Sequence, residues 1–300
     1  MPCLEQIVPA TQESILATRG VESSLGLEFQ RDAGGCTVLA GSSHEPPLRV
    51  LRAFTLADGT ALVHLHNVSG GLLGGDRLCL GVKVGRGARA QITTTGATRI
   101  YRPRPSTGDT TQLNQVTVAE EGLLEYVPDP LIPFAQARYR QRTVIRLQPG
   151  AGLFWWEVLS PGREASGEVF AYERVEMRLE AWAQDRLIIA ECARLQPRIR
   201  PPSTPARLGE FRYWASFYIC RLGLEQKFWV MAEQHLRDAA SVLAEPKDML
   251  WGISTLPEHG LAIRCLARHS HEVIPSLQKL WSHAKLLLYG CAAVPPRKVN

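Results

Sequence analysis

Between about residues 21 and 200 the apolar residues recur with a period of two, and this alternation constrains the fold more than any other feature. In ALVHLHNV (61–68), Ala61, Val63 and Leu65 share one face. In RLCLGVKV (77–84), Leu78, Leu80, Val82 and Val84 do the same. In RVEMRLEAW (174–182), Val175, Met177, Leu179 and Ala181 alternate with Glu176, Arg178 and Glu180. Successive side chains of a strand point to opposite faces, so each run predicts a strand with one buried side. Turn dipeptides break the runs at Asp58-Gly59, Gly70-Gly71, Gly85-Arg86-Gly87, Glu121-Gly122, Pro149-Gly150 and Pro161-Gly162. Many short strands joined this way predict a mainly β chain, built as a sandwich, barrel or solenoid. No fixed-length repeat chooses among them.

The last third reads differently. LQPRIRPPSTPARLGE (195–210) is rich in proline and arginine and cannot form a central strand or a helix, so a loop is expected there. FRYWASFYICRL (211–222) reads as a strand, and EQKFWVMAEQHLRDAASVLAEP (225–246) as a helix stopped by Pro246. Val273, Leu277, Leu280, Ala284 and Leu287 form one stripe of a final helix, with Pro275 near its first turn and Gly290 past its end. The aromatic runs GLFWWEV (152–158) and FRYWASFYI (211–219) suit either a core or a partner surface.

Several function classes are excluded or weakened. A net charge of +5 on 300 residues, with a pI near 8.9, is too mild to argue for nucleic acid. The seven cysteines (Cys3, Cys36, Cys79, Cys192, Cys220, Cys265, Cys291) contain no C-x-x-C pair, so neither a disulfide framework nor a zinc finger is indicated. Reduced thiols in a cytoplasmic chain are expected. The opening MPCLEQIVPATQES lacks a basic head and an apolar run, and no stretch approaches 18 apolar residues, so neither a signal peptide nor a membrane span is expected.

SGGLLGGDRL (69–78) invites comparison with a phosphate loop, and fails it. After Gly70 and Gly75 comes Asp76-Arg77, so a carboxylate stands where a Walker A loop has lysine, and the following residues alternate as a strand rather than opening a helix. The glycines then serve positive φ or close packing, or the turn aims Asp76 into a cavity. His64-x-His66 puts two imidazoles on one strand face without a third ligand nearby in sequence, and His269-Ser-His271 lies in a loop entering the last helix. Arg138, Arg140, Arg142 and Arg146 share one face of RYRQRTVIRL, either as a solvated face or as a docking stripe for an acidic protein. Acids gather near turns, Glu125 and Asp129 in LEYVPDPLIPF and Glu164 and Glu168 in PGREASGEVF. They suit surface positions, weak cation ligands or acid/base work.

Together these stretches carry a resemblance. SGGLLGGDRL, TTTGATRIYRP (93–103), LEYVPDPLIPFAQARYRQRT (124–143), PGREASGE (161–168), ISTLPEHGLAIRCLARHSHEV (253–273), LWSHAKLLLYG (280–290) and PPRK (295–298) occur in the order seen in the urease accessory protein family UreD, also called UreH. The chain resembles that family from about residue 20 to its end, after an extension over 1–20. The resemblance implies one domain over 21–300: a large stacked-sheet or β-helical body to about 200, the 195–210 loop, and a mixed part over 211–292 with a small α-helical portion near the C-terminus. It also implies a non-enzymatic chaperone of nickel insertion. Such a protein binds urease structural subunits, joins UreF and the GTPase UreG, and conducts transient nickel(II) through internal tunnels to a site where the bridging lysine is carbamylated. No tightly bound cofactor, nucleic acid or membrane is implied.

Carried over residue by residue, the resemblance marks Gly74, Gly75, Asp76 and Arg77; Thr95, Gly96, Arg99 and Tyr101; Pro128, Gln136 and Arg138; and Gly162, Arg163, Gly167 and Glu168. Asp76, Glu125 and Glu168 are the expected nickel-path acids, since isolated oxygen donors bind weakly and release readily. One departure stands out: after IPF, relatives often carry an acid, where this chain has Ala135-Gln136. The alternatives from other classes are a carbohydrate-active β enzyme using Glu125 and Glu168, and a plain β interaction module.

Overall fold

The computed structural model describes residues 20–296 apart from 244 and 246, so the expected N-terminal extension lies outside the described residues except for Gly20, as do Pro246 and the end of PPRK. In chain order the strands begin β1 (Glu22–Arg31), β2 (Thr37–His44), β3 (Leu48–Arg49), β4 (Ala53–Thr55), β5 (Ala61–Asn67), β6 (Arg77–Val84), β7 (Arg89–Thr94), β8 (Thr98–Ile100) and β9 (Thr110–Val118). They continue with β10 (Leu123–Tyr126), β11 (Leu131–Pro133), β12 (Arg138–Leu147), β13 (Gly152–Leu159), a 3-10 turn (Glu164–Ser166), β14 (Arg174–Ala183), β15 (Arg186–Leu195) and β16 (Tyr213–Arg221). The chain closes with α1 (Gln226–Ser241), β17 (Met249–Thr255), β18 (Gly260–Ala267) and α2 (Ser270–Tyr289).

Two sheets stack face to face. The first runs β15-β14-β12-β9-β6-β1-β2, with a parallel centre and antiparallel edges at β2 and β15. The second runs β17-β18-β16-β13-β10-β7-β5-β3, parallel from β5 to β13 and antiparallel beyond. From β6 to β13 the chain alternates between the sheets and so winds as a β-helical body. It turns from first sheet to second at three stacked corners, 85–88, 119–122 and 148–151. Each corner closes with a bond from its last N–H to its first carbonyl (Ala88 to Gly85, Gly122 to Ala119, Ala151 to Gln148). Each puts its third residue at positive φ: Gly87 at 63°, Glu121 at 56° and Gly150 at 71°. Gly87 N–H donates to Glu120, and Glu121 N–H to Pro149, tying one corner to the next. The structural repeat is invisible as a fixed-length sequence repeat because the return segments between coils differ in length.

Burial explains both sequence patterns. Between the sheets lie Leu25, Leu27, Phe29, Val82, Val84, Val116 and Ile145, facing Leu124, Leu153 and Trp155. The far side of the second sheet is covered by α1 and α2, so Phe154, Trp156, Val158 and Phe217 meet Trp229, Leu277 and Trp281. Strand β13 is therefore buried on both faces, which is why GLFWWEVL is apolar without alternation. Both aromatic runs serve mainly as core: Trp155, Trp156, Phe217 and Tyr218 are at most 1% exposed. The outer face of the first sheet has no such cover and keeps strict alternation. There Arg138 and Arg140 share Asp109 at 3.3 and 3.0 Å, Arg142 reaches Glu180 at 3.5 Å, and Arg146 lies over Trp182.

The helices depart from expectation at their ends. Helix α1 stops at Ser241, before the expected stop. Helix α2 starts at Ser270, so Pro275 sits inside it rather than in its first turn. The carbonyl left without its i+4 partner is that of His271, an exposed residue at the start of the helix. Gly290 caps the far end at φ 69°, as expected from its position. No described helix is long and apolar enough to cross a membrane. Six described cysteines are free thiols, and burial pushes Cys220 and Cys265 up to about 12, which keeps them protonated and unreactive.

Candidate functional site

The corners occupy one end of the coils. At the other end lie the segments that return the chain to the first sheet, and these contain SGGLLGGD, TGATRIYRP, PDPLIPFAQA and PGREASGE. Segments far apart in sequence meet there. Leu72 N–H donates to Arg99 and Tyr101 N–H returns a bond to Leu72, both at 2.8 Å. A Cβ on Gly71 would come within 2.4 Å of the Tyr101 ring, and one on Gly74 within 2.3 Å of Pro103 Cα, so both positions require glycine. Gly75, at φ 88°, completes the turn before β6. Tyr101 meets Phe134 edge-on at 4.7 Å, and the Arg163 guanidinium lies 4.3 Å above Phe134.

Beside this junction, past the C-terminal ends of β5, β7 and β10, an inter-sheet cavity of about 240 Å³ opens. Its lining includes Thr94, Thr95, Gly96, Arg99, Pro128, Asp129, Gln112, Gln141, Tyr126 and Glu157. Thr94 Oγ1 donates to Asp129 at 3.1 Å. Glu157 projects inward from β13, where its Oε1 accepts from Gln141 and from Trp155 Nε1. The Tyr139 hydroxyl lies 2.9 Å from Gln141 Oε1 and 3.0 Å from Gln112 Oε1. Gln112 donates on to Asn114, and Asn114 to Thr143. Burial, reinforced by the Glu191 carboxylate, pushes the Glu157 carboxyl up to about 7. A carboxyl held there exchanges its proton near neutrality, and when ionised it is a single oxygen ligand on a polar wall.

The three acids expected on a metal path do not meet in the structure, and none lines this cavity. Asp76, 3% exposed, accepts Val21 N–H at 2.9 Å on one oxygen and Leu73 N–H at 2.8 Å on the other, closing the glycine turn. Glu125 points to the opposite side of β10, into the core under α2. There it accepts from Lys285 Nζ and Trp281 Nε1, both at 2.7 Å. Burial would lower Lys285, but the Glu125 and Asp58 carboxylates outweigh it and hold the ammonium above its ordinary value. Glu168 forms a fork with Arg163 and accepts Ala135 N–H at 3.0 Å; the Arg163 hydrogen bond holds its carboxyl below the usual range. Of the other marked residues, Thr95, Gly96, Arg99 and Pro128 line the cavity, Arg77 pairs with Glu22 at the surface, and Arg138 Nη2 donates to Thr107. Gly162 and Gly167 hold the 3-10 turn at φ 132° and 76°.

The family model described as UreD urease accessory protein matches residues 21–300. The chain belongs to the UreD family. A urease accessory protein UreD of Herpetosiphon aurantiacus is 44% identical over 265 residues, 88% of this chain and 91% of that protein. One from Klebsiella pneumoniae is 30% identical over 279 residues, covering 93% and 96%, and one from Haloarcula marismortui is 28% identical over 293 residues, covering 96% and 94%. Ala135 supplies the N–H that Glu168 accepts, and Gln136 adopts φ 64° with its own N–H bonded to Ala171. The residue that sequence reasoning missed in this UreD chain is Glu157. Its signal was present: one acid inside an otherwise apolar run, GLFWWEVL, has to be held by partners from other strands.

Proposed function

We propose that this protein is a non-enzymatic urease maturation factor. It binds urease apoprotein together with UreF and UreG in the cytoplasm and passes nickel(II) to the urease active site. The observation that carries the reading is membership of the UreD family across residues 21–300. The metal path is supported by donor chemistry. The cavity offers Glu157, Asp129 and the Thr94 and Thr95 hydroxyls, hard oxygen donors spread along its wall. Nickel prefers imidazole or thiolate cages, so scattered oxygens hold it briefly and let it move on. Among the described residues no three His, Cys, Asp or Glu side chains are grouped to trap a metal ion. Asp76 and Glu168 also sit at this end of the coils, but there they are engaged by backbone N–H groups and by Arg163.

The carbohydrate-active alternative loses its geometric footing. Glu125 is sealed under α2 and Glu168 is forked to Arg163 in a different part of the molecule, so the pair flanks no common cleft.

The test is co-expression of urease subunits, UreF and UreG with this chain, without it, and with Glu157→Ala, followed by metal analysis of purified urease. Nickel content should fall without the chain and fall with the variant, while the variant still co-purifies with its partners. Unchanged nickel without the chain would sink the maturation role. Full nickel loading by the variant would sink the path past Glu157.

A further inference from the structure

Helices α1 and α2 bury one side each in the core beneath the second sheet. Leu236 and Ala232 anchor α1 there, and Ala284 anchors α2. The residues beside these anchors, His235 and His283, are both exposed, and their rings face each other across the helix pair with centroids 5.9 Å apart and planes inclined at 49°. Gln234 and Asp238, next to His235, bond to each other at 2.8 Å.

We propose that His235 and His283 form a two-imidazole binding site for a borderline divalent transition-metal ion of the Ni²⁺, Cu²⁺ and Zn²⁺ class. A metal bound about 2.0–2.1 Å from an imidazole nitrogen lies about 3.2 Å from that ring's centre, so two rings sharing one ion have centres no more than about 6.4 Å apart. The observed separation of 5.9 Å lies inside that limit, so rotation about the side-chain χ angles is what must bring one nitrogen of each ring to a common ion. The helix backbones that carry the two rings are fixed by core packing, so little ordering is required when the ion binds. Water completes the coordination, because the site is open to solvent. Imidazole suits Cu²⁺, Ni²⁺ and Zn²⁺, with Cu²⁺ held most tightly, and disfavours Mg²⁺ and Ca²⁺. The site shares no residue with the inter-sheet cavity and stands whether or not the maturation reading does.

The purified full chain is titrated calorimetrically with Ni²⁺ and with Cu²⁺ in a non-coordinating buffer, and its Cu²⁺ complex is examined by electron paramagnetic resonance. His235→Ala or His283→Ala should weaken binding by about tenfold or more and reduce the coordinated nitrogens by one. His269 and His271 also lie within the distance limit, at 5.7 Å, but their rings are stacked at 30°, which does not turn ring edges toward one another, so His269→Ala/His271→Ala should leave affinity and nitrogen count unchanged. Both target positions are exposed, and circular dichroism checks that the variants fold. Wild-type affinity and nitrogen count in His235→Ala/His283→Ala would overturn the proposal, as would binding lost only with His269 and His271, or no binding by the wild-type chain.

Discussion

Glu157 shows how much one side chain's chemistry depends on what surrounds it. Its carboxyl, ordinarily near 4.5, is pushed to about 7 by burial. The folded chain therefore keeps a proton there between roughly pH 4.5 and 7 that the unfolded chain has released. Over that window stability falls as pH rises, and above it the cost stays constant at about 2–4 kcal/mol. Glu157→Gln keeps an oxygen for Gln141 and Trp155 and removes the charge. We expect the variant to be more stable than the wild type at pH 8 by about that amount, with the difference shrinking towards zero near pH 4.5. Urea titrations at the two pH values measure this, and an equal difference at both would show that the charge is not what matters. None of this was legible in the residue itself. Asp76, expected from the sequence on a metal path, closes its own turn through a local bond from Leu73 and holds Val21 from 55 residues away. Glu157 takes its character from Gln141 and Trp155, and Gln141 comes from another strand in the other sheet.

Elements were readable in proportion to how local their determinants are. The three corners follow from glycine, Pro-Gly and Glu-Gly pairs, whose turn preferences need no partners. The stripe of α2 follows from its own spacing, but its start does not, since Pro275 is compatible with either a first turn or an interior position with a free carbonyl behind it. What fixes α2 to the body is Lys285, fully buried, with Glu125 at 2.7 Å and Asp58 at 3.3 Å. Lys285→Met should destabilise the protein by about 3–5 kcal/mol, because it leaves Glu125 buried without its cation. Lys285→Met/Glu125→Gln should recover part of that loss, since the charge goes and the Trp281 N–H keeps an acceptor. Guanidinium denaturation of the two variants decides it; a double variant weaker than the single one would mean that the ion pair itself is not the pin.

In the whole molecule, the inter-sheet core and the core under the helices share strands β10, β13 and β16. Leu153 and Trp155 of β13 belong to the inter-sheet core, while Phe154 and Trp156 belong to the core under the helices. Neither core can come apart without exposing the other, so residues 21–292 should unfold in one cooperative transition. Tryptophan fluorescence, which follows both cores, and far-ultraviolet circular dichroism should give coincident denaturant curves. Two separated transitions would mean that the helical layer is an independent unit.

The sequence by itself determined that this chain is mainly β, where its corners lie, which helix face is buried, and the family to which it belongs. A period of two, turn chemistry and motif order are properties of neighbouring residues. Only the tertiary structure decided that the strands pair in parallel across two sheets, and that the family's motif segments gather at one end of the coils. It also decided that Asp76, Glu125 and Glu168 point to three different places while Glu157 faces the cavity. Alternation says which side chains share a face. It does not say whether that face meets a sheet, a helix or water, and for a carboxylate that environment sets both its proton and its role.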